Sequence, residues 1–398
     1  MYSMTRWCYY CCKCSCSLSK DEQAALDLNQ EINRMIRVQK KNDRRECKLL
    51  LLGTGESGKT TFIKQMRIIH DNGYSTEDDR KPFAKLVYQN IFVSIQSLTG
   101  AMETLQIPYN DYKNRAGARL VQEVEAYKVL SLDKQYLDAI RRLWQDPGIK
   151  ACYKRRREYQ LLDSAFYYLS SLDRIADEGY VPTKEDILKI RMPTTGINEY
   201  CFGVEYGAQK KGYVEKVSLR IVDVGGQKSE RRKWIHSFEN VDSLLFLASL
   251  SEYDQRLEEN NSENRMRESL ALFNNILLLP NWQKNIGIIL FLNKTDILAE
   301  KINGSDLSDY FPNYKGPKKN ADAAMQFILE MYSNIYYKCT NQENENLHKN
   351  VKNDSKDNSG WTFYSHFTCA TDTDHIRKTF EDIKMAVLYR SLQSFLLL

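Results

Sequence analysis

Apolar and polar positions divide this chain into three regimes. From about residue 20 to 46, Leu28, Ile32, Met35 and Ile36 recur at helical spacing, and most positions between them are charged or polar. The pattern predicts one long helix with a narrow apolar stripe. Such a helix cannot make a core alone and must lie on a membrane, on the rest of the protein or on a partner. From Lys48 onward the chain carries short apolar runs at 48–52, 217–222, 241–248 and 286–292. Each has the length of a buried strand. Helical patterns separate them, beginning with residues 60–69, so parallel strands with crossover helices are expected. Between about 75 and 185 the periodicity is helical throughout, as in Leu86, Val87, Ile91, Ile95 and Leu98, then Leu120, Val121 and Val124, then Tyr136, Leu137, Ile140 and Leu143. The prediction is an α/β domain in two parts, 47–74 and 186–398, with an all-helical domain at 75–185 inserted between them and the N-terminal segment at 1–46 in front. Residues 338–360 are rich in Asn, Lys, Asp, Glu and Ser and read as a solvated, disordered loop.

Composition narrows the functional classes. The chain has 398 residues, enough for two cores. A net charge of +5 is too mild to imply a nucleic-acid partner. No apolar run approaches the roughly 18 residues that span a bilayer. The start has no signal-peptide h-region. A cytosolic protein with reduced thiols is expected. Five of the ten cysteines fall at Cys8, Cys11, Cys12, Cys14 and Cys16, directly before a basic stretch carrying Arg34, Arg37, Lys40, Lys41, Arg44 and Arg45. C-x-x-C spacing also occurs in metal sites, but no His or second Cys pair completes a four-ligand set. S-acylation is the better reading. Tyr2 at the second position excludes N-myristoylation. Several acyl chains, or one chain with a basic patch, hold stably to a membrane surface.

Four segments carry candidate chemistry. Gly53-Thr54-Gly55-Glu56-Ser57-Gly58-Lys59-Thr60-Thr61 fits G-x-x-x-x-G-K-[ST], between a strand pattern and a helix pattern. Backbone N–H groups and the helix start would cradle phosphates, with Lys59 on the β- and γ-phosphates and Thr60 on Mg²⁺. Asn293-Lys294-Thr295-Asp296 ends the 286–292 strand, where α/β sheets bind ligands. The Asp296 carboxylate can accept from guanine N1–H and the 2-amino group, and adenine offers neither donor. Asp223-Val224-Gly225-Gly226-Gln227 ends the 217–222 strand. There Asp223 can reach Mg²⁺ through water, Gly226 can approach a γ-phosphate and Gln227 can orient a water. In Arg191-Met192-Pro193-Thr194-Thr195-Gly196, the residues alone leave two readings open. Either Arg191 is incidental in a linker, or it stabilises transition-state charge in cis while Thr194 completes Mg²⁺ coordination.

Taken together, these segments resemble the α subunit of heterotrimeric G proteins over nearly the whole chain. Residues 186–197 look like its first switch and 223–234 its second, and Asn293 to Asp296 with Thr368-Cys369-Ala370-Thr371 look like its two guanine-binding segments. Within the family the chain is most similar to the Gq class, through Pro193, Asp163-Ser164, Ser251-Glu252-Tyr253-Asp254-Gln255 and the cysteine-rich start. The resemblance implies a Ras-like P-loop GTPase domain with an inserted helical domain. It implies GTP hydrolysis with Gln227 and Arg191 as catalytic residues, and Leu188, Lys189, Ile190, Met192 and Pro193 beside the nucleotide. It implies a lipid-anchored signal transducer at the cytoplasmic face of the plasma membrane. The implied partners are a βγ dimer on the N-terminal helix and second switch, a seven-helix receptor at the C-terminus, a phospholipase C-β effector and RGS-type activators. The chain departs from the family at Lys189 and Lys228, both usually Arg, and in the apolar tail Gln393-Ser394-Phe395-Leu396-Leu397-Leu398. Those two lysines support one rival, a catalytically weak scaffold that signals through its surfaces. A P-loop kinase or ATPase is the other, and the N-K-x-D tetrapeptide argues against it.

Overall fold

The computed structural model describes residues 20–43, 46–206, 215–257, 263–279, 286–348 and 362–396. The five cysteines read as acylation sites lie outside the described residues. The chain divides into two units, residues 1–46 and 47–398. In the first, α1 (Lys20–Asp43) is a single helix whose apolar Leu28, Ile32 and Met35 are exposed.

The second unit is built on six strands. They are β1 (Glu46–Leu52), β2 (Ile197–Tyr206), β3 (Glu215–Val224), β4 (Ser243–Ser249), β5 (Gly287–Asn293) and β6 (Thr362–Thr368), in spatial order β2-β3-β1-β4-β5-β6. β1, β4, β5 and β6 pair in parallel. β2, which the apolar pattern did not predict, pairs antiparallel with β3. Every residue of β4 and β5 is buried, as expected of strands covered on both faces.

Alternation along the strands feeds two cores. Leu50, Leu52, Leu244, Phe246, Ile288 and Leu290 point to one face, with Phe273 of α11 (Arg265–Leu277) and Tyr332 of α13 (Ala321–His348). Leu49, Leu51, Leu245, Leu247, Ile289 and Phe291 point to the other, with Phe62 of α2 (Lys59–His70) and Phe380 of α14 (Thr373–Leu396). The expectation of a solvated loop from residue 338 fails up to His348. α13 continues to that residue, and Cys339 is buried in the core because its side chain still falls on the helix's inner face. Residues 349–361 lie outside the described residues.

The segment between β1/α2 and β2 is helical, and a third core joins its helices. The longest helix is α4 (Ala84–Thr104), with Val87, Ile91, Ile95 and Leu98 fully buried. It follows α3 (Glu77–Arg80), and α5 (Asn114–Gln122), α6 (Lys134–Gln145), α7 (Pro147–Lys154), α8 (Ala165–Ser170) and α9 (Leu172–Ile175) pack in the same segment. α10 (Lys184–Lys189) leads back to the sheet, and α12 (Thr295–Lys301) follows β5. Strand register sets Leu52 beside Phe246, Ser249 beside Asn293, and Asn293 beside Thr368, so these parallel strands end at one edge. That edge is where ligands bind in open α/β sheets.

Candidate active site

At this edge an open cleft encloses about 1080 Å³, counting the solvent at its mouth. It is large enough for a nucleotide. The structure gathers on its walls Gly55, Glu56, Gly58, Lys59, Thr60 and Thr61 from the glycine loop, and Asp163 and Ser164 from the helical segment. Leu188, Lys189, Ile190, Arg191, Met192, Pro193 and Thr194 line it from the first switch, Gly226 and Gln227 from the second. Asn293, Lys294, Asp296, Cys369, Ala370 and Thr371 line its far end. Gly53, Thr54, Ser57, Asp223, Val224, Gly225 and Thr295 are not among its lining residues, while Leu162 and Ile297 line it without any prior sequence signal.

The loop geometry explains the glycines. Gly58 has φ 108 at the start of α2, and a Cβ there would come within 2.1 Å of Asn293 Nδ2. Asn293 is buried and ties three segments together. Its Nδ2 donates to Ser57 O at 2.9 Å, and its Oδ1 accepts from Ala370 N at 2.9 Å. Lys294 has φ 67 and donates to the Asp163 carboxylate, closing the cleft on the side of the helical segment.

Two charged groups lie deep at the glycine-loop end. Lys59 donates to Gly53 O at 2.9 Å and to Thr54 O at 2.8 Å. Burial lowers its pKa to about 8 against the pull of Asp223 and Glu252. Burial raises the Asp223 carboxyl to about 6, against the pull of Lys59, and its Oδ1 has no hydrogen-bond partner. The Thr60 and Thr194 hydroxyl oxygens lie 2.8 Å apart. Neighbouring ligands of an octahedral Mg²⁺ at its usual bond length are about 3 Å apart, so this pair fits adjacent positions. Among the described residues no cluster of three His, Cys, Asp or Glu could hold a metal. A cation here would rest on the two hydroxyls, on waters and on phosphate oxygens, with the Asp223 carboxylate nearby, the donor set P-loop NTPases use for Mg²⁺.

The two switch segments are joined backbone to backbone. Gly225 N donates to Gly196 O at 3.1 Å, and Gly196 N donates to Glu230 Oε2 at 2.7 Å. Trp234 Nε1 donates to Gly225 O at 2.8 Å, which holds the second switch over its own turn. Gln227 is exposed at the start of a 3-10 helix, Lys228–Ser237.

Arg191 stands at the cleft wall with its Nε 3.1 Å from Glu56 Oε1. Glu56 also accepts from Arg265 at 3.0 Å, and Arg265 binds the buried Glu252 at 2.7 Å. Burial would raise the Glu56 carboxyl, but Arg265, Arg191 and Lys294 outweigh it and hold it at about 2. Lys189, expected beside the nucleotide, turns its ammonium to the Tyr167 ring at 4.9 Å and to Glu185 at 3.7 Å. Lys228 lies 3.1 Å from Glu263 and 3.5 Å from Glu268. Sequence reasoning missed Arg265, Lys64 and Asn90, and cited Glu252 only as a mark of the Gq class. Lys64 Nζ donates to Ile187 O at 2.8 Å and to Ile190 O at 2.9 Å, fixing the first switch to α2. A lysine inside the apolar run of α2 was the one signal that could have found it.

The chain belongs to the G-protein alpha subunit family, whose model matches residues 27–387, and it is a GTPase that transduces signals from receptor to effector. It is 57% identical over 385 residues to guanine nucleotide-binding protein subunit alpha-15 of Homo sapiens, covering 97% of this chain and 98% of the relative. The proteins of the same name from Mus musculus and Rattus norvegicus are each 54% identical over the same length, with the same coverage. These similarities agree with the Gq class read from the sequence. No helix among the described residues is long and apolar enough to cross a membrane.

Proposed function

We propose that the cleft binds GTP with Mg²⁺ and hydrolyses it by a cis-acting arginine and a positioned water. The glycine loop and Lys59 take the β- and γ-phosphates, and Asp296 reads guanine beside Cys369, Ala370 and Thr371. Thr60 and Thr194 would hold Mg²⁺, with Asp223 acting through water. Bound there, Mg²⁺ would supply positive charge against the phosphates. Gln227 orients the attacking water through its amide. Arg191 leaves Glu56 and turns its guanidinium to the charge that develops on the γ-phosphate. Loss of that phosphate frees Thr194 and Gly226, and the joined switches relax together.

The observation that carries this reading is the meeting of Thr194, Arg191, Gly226 and Gln227 around Lys59 and Thr60 in one cleft. The N-terminal cysteines, acylated, would hold the chain at the cytoplasmic face of the plasma membrane. A βγ dimer would sit on the N-terminal helix and second switch, a receptor at the C-terminus. RGS-type activators and phospholipase C-β would read the GTP-bound switches.

Single-turnover hydrolysis of preloaded GTP tests the site. Arg191→Cys and Gln227→Leu should bind a non-hydrolysable GTP analogue like the unaltered protein. Arg191→Cys should lose about 10²–10³ in rate, the usual effect of removing one transition-state donor. An unaltered rate in either variant would refute its assigned role.

A further inference from the structure

The backbone of Arg191 is gripped by a side chain from the helical segment. Asn90 lies on α4, 5% exposed. Its Oδ1 accepts from Arg191 N at 2.7 Å and its Nδ2 donates to Arg191 O at 3.1 Å. The same Nδ2 donates to Leu86 O at 2.9 Å, one turn back in its own helix. The amide orientation follows from the partners. An N–H needs an acceptor and a carbonyl needs a donor, so only one flip satisfies both.

The neighbouring residue is held from the opposite side. Lys64 of α2 bonds the carbonyl of Ile190. The peptide unit between Ile190 and Arg191 is thus pinned to α2 through its C=O and to α4 through its N–H, and the unit after Arg191 is pinned to α4 again. Among the described residues its guanidinium makes one bond, to Glu56. Such an anchored backbone with a movable side chain suits a group that must exchange a carboxylate for a phosphate without losing its aim.

We infer that Asn90 is a positioning residue for GTP hydrolysis, presenting Arg191 to the γ-phosphate from the inserted helical segment. The inference rests on Arg191 acting as proposed above, and it adds a role for α4 in the rate of the chemical step. Asn90 is not among the residues that line the cleft. It acts through Arg191 alone.

The test is a double-mutant cycle read by single-turnover hydrolysis of preloaded GTP. Asn90→Ala should lower the rate by about 10- to 100-fold, the scale of a misplaced catalytic group. In the Arg191→Cys background the same substitution should change the residual rate less than about twofold, since neighbours acting as one unit are non-additive. Asn90→Asp keeps an acceptor for Arg191 N–H but sets its second oxygen against the carbonyls of Arg191 and Leu86, so it should lose at least as much as Asn90→Ala. Binding of a non-hydrolysable GTP analogue reports folding. If Asn90→Ala does not bind it, the cycle is run with Asn90→Asp. An undiminished rate in the variant used, or an equal loss with and without Arg191, overturns the inference. If Arg191→Cys itself hydrolyses normally, the failure lies with the role of Arg191.

Discussion

Arg191 and Glu56 form an ion pair across the cleft wall, with Nε and Oε1 3.1 Å apart and each side chain about a quarter to a third exposed. Under the proposed function the carboxylate would compete with phosphate for the same guanidinium. Glu56→Gln should therefore keep or raise the single-turnover hydrolysis rate. It should also destabilise the protein by about 1–3 kcal/mol, since Arg265 loses one of its two carboxylates. Stopped hydrolysis in this variant would show that Glu56 has a direct part in the chemistry.

Gly226 is packed so tightly that a Cβ would lie 2.4 Å from Lys59 Nζ and 2.6 Å from Thr54 O. Gly226→Ala displaces the lysine that should meet the γ-phosphate. Overpacking of this kind costs about 1–3 kcal/mol. Affinity for GTP should fall by about 10- to 100-fold, with GDP much less affected. Competition binding of the two nucleotides measures the ratio, and an equal loss for both would contradict the placement.

Asp296 can satisfy two donors on guanine. In Asp296→Asn one acceptor becomes a donor, which suits the 2-oxo group of xanthine. GTP binding should weaken by at least about tenfold, on the strength of one charged hydrogen bond. XTP should then bind the variant better than GTP. Unchanged preference for GTP would place guanine recognition elsewhere.

Asp186 carries a pH signature. Burial would raise its carboxyl, yet Arg174 at 2.7 and 2.8 Å, the Thr183 N–H, Tyr167 and Tyr180 hold it at about 2. Its side chain is fully buried. A lowered folded-state pKa stabilises fully above the ordinary carboxylate range, and the effect is lost as pH falls through about 2. Asp186→Asn should be about 2 kcal/mol less stable at pH 7, narrowing between about pH 4 and pH 2. Denaturant melts at both ends of that window measure it, and a constant difference would rule out the ionised form as the source.

Motifs whose chemistry is local were legible because adjacent residues carry it. The glycine loop and the residues from Asn293 to Asp296 each need a strand end and a short turn, and both occur together in sequence. The central strands were equally plain, since β4 and β5 are buried along their whole length. The edge strands were not. In β2, Phe202 and Val204 are buried while Cys201, Gly203 and Glu205 interrupt them, so the run never becomes apolar. β6 mixes Ser365 and His366 with Phe363 and Phe367 for the same reason. Asn90 lies 101 residues from Arg191, and Arg265 lies 209 from Glu56. Only tertiary packing gives such residues meaning.

Asn293 makes the cleft mechanically single. One buried amide bonds the carbonyl of Ser57 and the N–H of Ala370, and Ala370 stands just ahead of α14. Two hydrogen bonds and one side chain therefore connect the approach to the C-terminal helix with the glycine loop. Under the proposed function, a shift of that helix would loosen the base end and the phosphate end of the cleft together, with Asn293 as the link between them.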